Sequence, residues 1–361
     1  MRRRPGSRAV VLLLVLLPDL AACGGESSAL GPIPSPAPRT YEMGWSAVPP
    51  RPSEASFFAA TKAAAEVSDV AIIQQPVPWA QLLAGAPLDS LVEDRGGVAD
   101  YLRALGEKIV FLVDPLDGLD RTKETPELVA AGRSLLDPDI RATHEAWVRA
   151  IATRIHPEWM GLASEINTLA AHGDSTLYRT LVGMIDSLAP EVRSLSPGTK
   201  VFVSFQVEDA SGYFGGQGIG QFKLIDDFDI DALGLSSYPV FVFPTPADIP
   251  DDYLQRFRDA TSLPLIMVEG GWSSQSSDVF QSTPQEQVDF FRRYETLLDG
   301  VDARLWVMLV FADLDIPSLG LPPDRAAGLA PFAHMGIVDS DLNPKPSYDV
   351  WKEIFGRPLG S

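Results

Sequence analysis

Two glutamates in this sequence close short apolar runs. The first stands in Gly161-Leu162-Ala163-Ser164-Glu165-Ile166-Asn167, the second in Leu265-Ile266-Met267-Val268-Glu269-Gly270-Gly271-Trp272. Either one alone reads equally well as a solvated or ion-paired carboxylate at the rim of a sheet. A converging pair can do more. One carboxyl kept protonated near neutral pH can donate to a leaving oxygen, while an ionised partner stabilises and then attacks the cationic centre that develops. Asp114, Gln206 and Tyr238 end other apolar runs in the same way and are candidates to face the same place.

Other chemistries lack their spacing. His144, His156, His172 and His334 form no His-Glu-x-x-His or comparable ligand set, so no metal and no cofactor is implied. Ser204 and Ser236 lie in no Gly-x-Ser-x-Gly elbow. The glycine-rich stretch 212–220 lacks the Lys-Ser/Thr ending of a phosphate-binding loop and reads as a mobile rim.

The elements that must position these residues are short β-rich runs alternating with helical patterns, the signature of parallel βα units. Eight runs are legible: 41–48, 69–76, 108–114, 159–165, 200–206, 232–238, 265–269 and 305–311, each followed by loop residues and then a helix. Ser53 opens a helix over 54–67, and Thr283-Pro284 opens one over 285–298, whose Val288, Phe291 and Leu297 suggest a buried stripe. Further helices are read at 143–155, 177–195, 251–260 and 347–355. Unbroken apolar strands such as Ile109-Val110-Phe111-Leu112-Val113 belong to sheets covered on both faces. A doubly wound open sheet is the rival, but no Gly-x-Gly-x-x-Gly turn follows the first strand, and eight units suit closure. The fold class is therefore read as α/β, a single (β/α)8 TIM barrel over residues 41–361, whose site lies at the carboxyl ends of its strands.

Carboxylates ending strands 4 and 7 resemble the arrangement of clan A glycoside hydrolases. The likeness is greatest to the family 53 endo-β-1,4-galactanases, in Glu165-Ile166-Asn167, Ser236-Ser237-Tyr238-Pro239 and Glu269-Gly270-Gly271-Trp272. The resemblance implies a retaining β-glycosidase on a neutral, galactan-like glycan, with Glu165 as general acid/base and Glu269 as nucleophile. It also implies that Tyr238 hydrogen-bonds Glu269. Retention asks for carboxyl groups about 5–5.5 Å apart, whereas a wider gap admits water and inverts. One departure stands out. The clan's asparagine before the acid/base, which binds the sugar 2-hydroxyl, is Ser164 here. A hydroxyl is shorter but still donates and accepts, leaving a lipid-anchored, non-hydrolytic carbohydrate-binding protein as the alternative. Asp114, Ser164, Asn167, Gln206 and Tyr238 are the expected polar contacts to sugar. Among the aromatics at strand ends, Trp45, Trp79 and Trp272 are the expected stacking platforms, whereas Phe214 and Phe311 read as packing.

The N-terminus sets the address. Arg2, Arg3, Arg4 and Arg8 precede an apolar run at 9–17, too short for a membrane span and broken at Pro18-Asp19. Leu20-Ala21-Ala22-Cys23 then resembles the lipobox of bacterial lipoproteins, which makes 1–22 a signal peptide and Cys23, the only cysteine, the lipid attachment point. Residues 23–40 form a Pro/Gly/Ser linker. Export, and anchoring to a bacterial membrane on its periplasmic or outer side, follow as expectations. Loss of residues 1–22 removes four arginines and Asp19 from a chain of net charge −19, leaving −22. That charge argues against nucleic acid as a partner and is compatible with a neutral substrate. The chain is read as a monomer.

Overall fold

The computed structural model describes residues 37–214 and 220–360. The signal segment and Cys23 lie outside the described residues, as do all but the last four linker residues and positions 215–219 of the glycine-rich stretch. Among the described residues no helix is long and apolar enough to cross a membrane.

Eight strands close into a barrel: β1 (Glu42–Ser46), β2 (Val70–Pro76), β3 (Lys108–Asp114), β4 (Trp159–Gly161), β5 (Lys200–Gln206), β6 (Ala232–Ser237), β7 (Leu265–Gly270) and β8 (Leu305–Met308). Every strand pairs in parallel with its sequence neighbours, and β8 returns to β1 through Glu42↔Leu305 to Trp45↔Met308. The (β/α)8 barrel read from the sequence is the fold observed.

Alternation along each strand sorts its side chains between lumen and outer shell. Val70 and Ile72, Val110 and Leu112, Phe202, Ala232, Ile266 and Val268, Leu305 and Val307 fill the lumen above Trp159. Residues of opposite parity, such as Ile73, Ile109, Phe111, Val203, Leu233 and Trp306, pack outward against the helices. On β2, β3, β5 and β6 the lumen-facing series continues into Gln74, Asp114, Ser204 with Gln206, and Ser236. An apolar plug thus carries a polar crown.

Outer helices cover the shell: α1 (Glu54–Ala65), α2 (Leu88–Ala104), α3 (Pro138–Ile155), α4 (Ser175–Leu195), α5 (Gln255–Ala260), α6 (Pro284–Gly300) and α7 (Pro346–Phe355). The expected caps are in place: Ser53 accepts from Ser56 N and Thr283 from Glu286 N. On α6 the buried stripe runs through Gln287, Phe290, Phe291, Tyr294, Leu297 and Leu298, which leaves Val288 at its margin. Two readings need correction. The fifth unit carries, among the described residues, only the turn Val207–Ala210 and the 3-10 segment Gln221–Asp227 in place of a full helix. The regular part of the fourth strand ends at Gly161, although Leu162 N still donates to Phe202 O (3.0 Å) and Ser204 N to Ala163 O (3.0 Å), so the chain keeps company with β5 up to the glutamate.

Gly161 makes the middle of the plug possible. A Cβ there would lie 2.2 Å from Leu112 Cδ1 and 2.6 Å from the Phe202 ring. Gly161→Ala should therefore overpack the lumen and cost about 1–3 kcal/mol. Gly97 on α2 is exposed and an added Cβ meets nothing within 4 Å, so Gly97→Ala should stabilise by about 0.5–1 kcal/mol. Chemical denaturation of both variants should give these opposite signs.

Candidate active site

Neither glutamate is placed by regular strand pairing, since Glu165 lies beyond the end of β4 and Glu269 at a register shift on β7. On β7, Met267 pairs with Leu235 but Glu269 pairs with Ser236, so Val268 is an extra residue. This bulge turns Glu269 to the same side as Val268, where Tyr238 Oη donates to Oε1 (2.6 Å) and Gln74 Nε2 to Oε2 (3.0 Å). Glu165 is turned by its own backbone. Its φ of 49° and ψ of 39° are left-handed, a conformation that costs a non-glycine residue about 1–3 kcal/mol and is held only where the surroundings insist on it. Here the Ser204 hydroxyl insists, accepting from Glu165 N at 2.9 Å.

The two carboxyls are 9% and 8% exposed. Glu165 accepts from Ser236 Oγ through Oε1 (2.6 Å) and from Arg121 Nε through Oε2 (3.0 Å). Arg121 lies on a hairpin, Leu116–Asp117 paired with Asp120–Glu124, that follows β3 and bends over the mouth. Its Nη1 also donates to Asp114 Oδ2, while Asp114 Oδ1 accepts from Leu116 N (3.2 Å). Glu269, Tyr238, Glu165, Ser236, Arg121 and Asp114, with the partly buried Gln74, thus form one cluster drawn from β2, β3, β6, β7 and the loops after β3, β4 and β6.

Its electrostatics follow from burial. Desolvation first, and the Glu165 charge second, push Glu269 up to about 7, against the pull of Arg121 and of the hydrogen bonds from Tyr238 and Gln74. Burial also raises Asp114, which Arg121 opposes. Burial works against the Arg121 cation, but Asp114, Glu165 and Glu269 outweigh it and raise its pKa. Glu208, fully buried beside this cluster, is pushed up to about 7 by burial although Tyr253, Ser237 and Gln206 all donate to it.

Among the sequence candidates, Glu165, Glu269, Asp114 and Tyr238 meet as expected. Gln206 lines the adjoining cleft, its Oε1 taken by Asp209 N (2.6 Å). Others go elsewhere. Ser164 is 0% exposed with Oγ 3.3 Å from Ser204 Oγ, so it braces the left-handed turn rather than facing a ligand. Asn167 is equally buried and clamps the next strand end, accepting from Gln206 N (2.8 Å) and donating to Gln206 O (3.2 Å) and Gln221 Oε1 (2.7 Å). Trp45 packs on Trp351 and Phe311, Trp79 lies beside His144, and Trp272 donates to Ser282 Oγ (2.9 Å) and stacks on Phe290. All three are buried in the shell and offer no face for stacking. The exposed aromatic at the cleft is Phe214.

Three members were missed in the sequence. Gln74 and Ser236 sit on lumen parity, two residues beyond Ile72 and Gly234, a signal that was available. Arg121 had none, since its loop is long and polar. The cleft next to the pair measures about 330 Å³, at the small end for ligand sites, and is lined by Leu119, Asp120, Glu165, Thr168, His172 and Asp209 besides the residues named above.

No protein-family model matches the chain, and no curated protein matches it in sequence. Solved structures do match. The exo-β-1,4-mannosidase Op5Man5 from Opitutaceae bacterium strain TAV5 is similar over 87% of this chain at 15% identity and TM-score 0.67, and the chain spans 59% of that protein. A GH5_18 variant from Bifidobacterium longum subsp. longum, solved with Manβ1-4GlcNAc, covers 89% of this chain and 80% of its own at 15% identity and TM-score 0.67. The Ignisphaera aggregans GH53 catalytic domain covers 83% and 88% at 14% identity and TM-score 0.55. At such identities the likeness is one of architecture: the chain has the closed (β/α)8 barrel that these glycoside hydrolases have.

Proposed function

We propose that this protein is a retaining glycoside hydrolase acting on β-linked neutral sugars, with Glu165 as acid/base and Glu269 as nucleophile. The observation that carries the reading is the convergence of the two glutamates in one buried cluster by two separate backbone devices, a left-handed residue and a bulge. Tyr238 bonded to Glu269 and the barrel shared with an exo-β-1,4-mannosidase and a GH53 catalytic domain support it. In the reaction Glu269 attacks the anomeric carbon while Glu165 gives its proton to the departing oxygen. Water then enters, deprotonated by Glu165, and frees Glu269. A galactan-like glycan remains the substrate suggested by the sequence motifs, and the neighbours add β-mannosides to the panel worth testing. The non-hydrolytic alternative is favoured by one observation, the Arg121 clamp on Glu165, since a carboxyl held by a guanidinium can serve a leaving group only once that pair opens.

Aryl β-galactosides, β-mannosides and β-glucosides should report turnover. Glu269→Ala should lose it, with azide restoring activity and giving the inverted α-glycosyl azide; a variant as active as wild type without azide sinks the assignment. Glu165→Gln should lower kcat/KM by about 10²–10⁴-fold on sugar leaving groups and far less on dinitrophenyl glycosides.

The pH profile tests the same roles. Attack needs ionised Glu269, so kcat/KM on dinitrophenyl glycosides should fall below the neutral range in which that group titrates. Glu165→Gln removes the neighbouring negative charge and should move this acid limb to lower pH. Arg121→Met removes the cation and should move it higher, while Arg121→Lys should stay near wild type.

We also infer export and lipid attachment at Cys23, on the pattern of residues 1–23. Metabolic labelling with a tritiated fatty acid should mark the wild type and not Cys23→Ser.

A further inference from the structure

The hairpin that carries Arg121 does more than deliver a guanidinium. One flank lies on the helix Ile166–His172 that follows β4, close enough that a Cβ on Gly173 would come 3.2 Å from Thr122 O. Its tip reaches the helix Pro323–Leu329 that follows β8. There Arg325 Nη1 donates to Asp117 Oδ1 and Oδ2 (2.7 and 2.8 Å), and Leu119 Cδ1 would stand 3.3 Å from a Cβ on Gly328. In a ring of eight strands β4 and β8 face each other, so the hairpin straps the mouth across its diameter. The segment after β8 is in turn packed against the loops of β6 and β7. Phe332 lies 5.0 Å from the Tyr238 ring and 5.4 Å from that of Phe241, which is 5.4 Å from Phe280. A cleft between the strap and the loops after β4 and β5 opens onto the site, and Glu165 lines it.

We propose that this strap makes the site a one-ended pocket, so that the enzyme removes single sugars from the non-reducing end of a β-linked chain and does not cut within it. The inference rests on the hydrolase reading for its chemistry and on the strap for its direction. The acid/base protonates the leaving oxygen, and Glu165 stands on the cleft side. The departing part of the chain must therefore lie toward the opening, and the sugar attacked by Glu269 must lie inward. A chain continuing inward beyond that sugar would run into the strap and its pinned tip. The C1–O bond of the terminal sugar breaks, the shortened chain leaves with Glu165's proton, and water supplies the hydroxyl that ends on C1.

The test uses the full chain with β-1,4-linked galacto-, manno- and gluco-pentaoses labelled at the reducing end, each also made with a 4,6-O-benzylidene cap on the non-reducing sugar. Wild type should release unlabelled monosaccharide with labelled tetrasaccharide as the first product, and the capped forms should react about tenfold more slowly or less. Arg325→Gln, and separately Asp117→Asn, free the strap tip without touching the carboxylate pair. Each should keep aryl glycoside hydrolysis within about threefold while raising the share of internal cuts about tenfold. Labelled di- and trisaccharides as the earliest wild-type products, or variants with an unchanged product pattern, overturn the proposal. If wild type cleaves nothing, the hydrolase reading falls and binding decides the pocket. Saturation-transfer NMR should show contact with uncapped pentaoses and not with capped ones, and equal contact overturns it.

Discussion

A guanidinium buried among carboxylates is the constraint on which the mouth of this barrel depends. Asp114, Glu165 and Glu269 are each less than a tenth exposed, and no protein interior tolerates three adjacent negative charges without compensation. Arg121 supplies one positive charge in planar geometry, touching Asp114 and Glu165 with different nitrogens. Burial and the neighbouring Glu165 charge raise Glu269 above the ordinary carboxylate range, which eases the remaining repulsion. The strap that brings Arg121 is therefore an electrostatic part of the site as well as a cover. Arg121 itself is held by Asp114 and Glu165, whereas the tip of the strap is fastened separately to the segment after β8.

Beneath this cluster the barrel follows a simple rule. On β2, β3, β5 and β6 the first lumen positions go to apolar or small side chains and the last to a hydrogen-bonding one, so dry packing below holds a polar crown above it. Glycine at Gly161 lets Leu112 and Phe202 occupy the same level. The two residues proposed to do chemistry break the rule, one through a bulge and one through left-handed backbone. Such departures cost free energy that the dry, close-packed plug can supply. They also set side chains at angles regular strands do not reach.

This explains what was legible in the sequence and what was not. Strand positions, the barrel and both glutamates were readable because apolar runs and their terminators follow from burial. Gln74 and Ser236 were readable in principle, since period two places them above Ile72 and Gly234. Trp45, Trp79 and Trp272 misled because a tryptophan near a strand end fits the outer shell as well as the mouth, and only the turn of the backbone decides which. Ser164 and Asn167 misled for a related reason. Both are fully buried and are spent on β5, Ser164 beside the Ser204 hydroxyl that holds the Glu165 turn and Asn167 on the backbone of Gln206. Arg121 was invisible because its partners lie 7, 44 and 148 residues away in sequence, and nothing local marks a loop arginine as buried.

The resting charge arrangement also says what substrate must do. At rest both oxygens of Glu165, the proposed acid, are engaged as acceptors by Arg121 and Ser236. Double displacement asks Glu165 to donate, so a substrate must first open the pair it makes with Arg121. Asp114 already accepts from Arg121 Nη1, so the guanidinium can release Glu165 without leaving the cluster. At Glu269, the proposed nucleophile, burial and the neighbouring Glu165 charge work against the carboxylate that attack requires, and Tyr238 and Gln74 stand at its two oxygens to hold it.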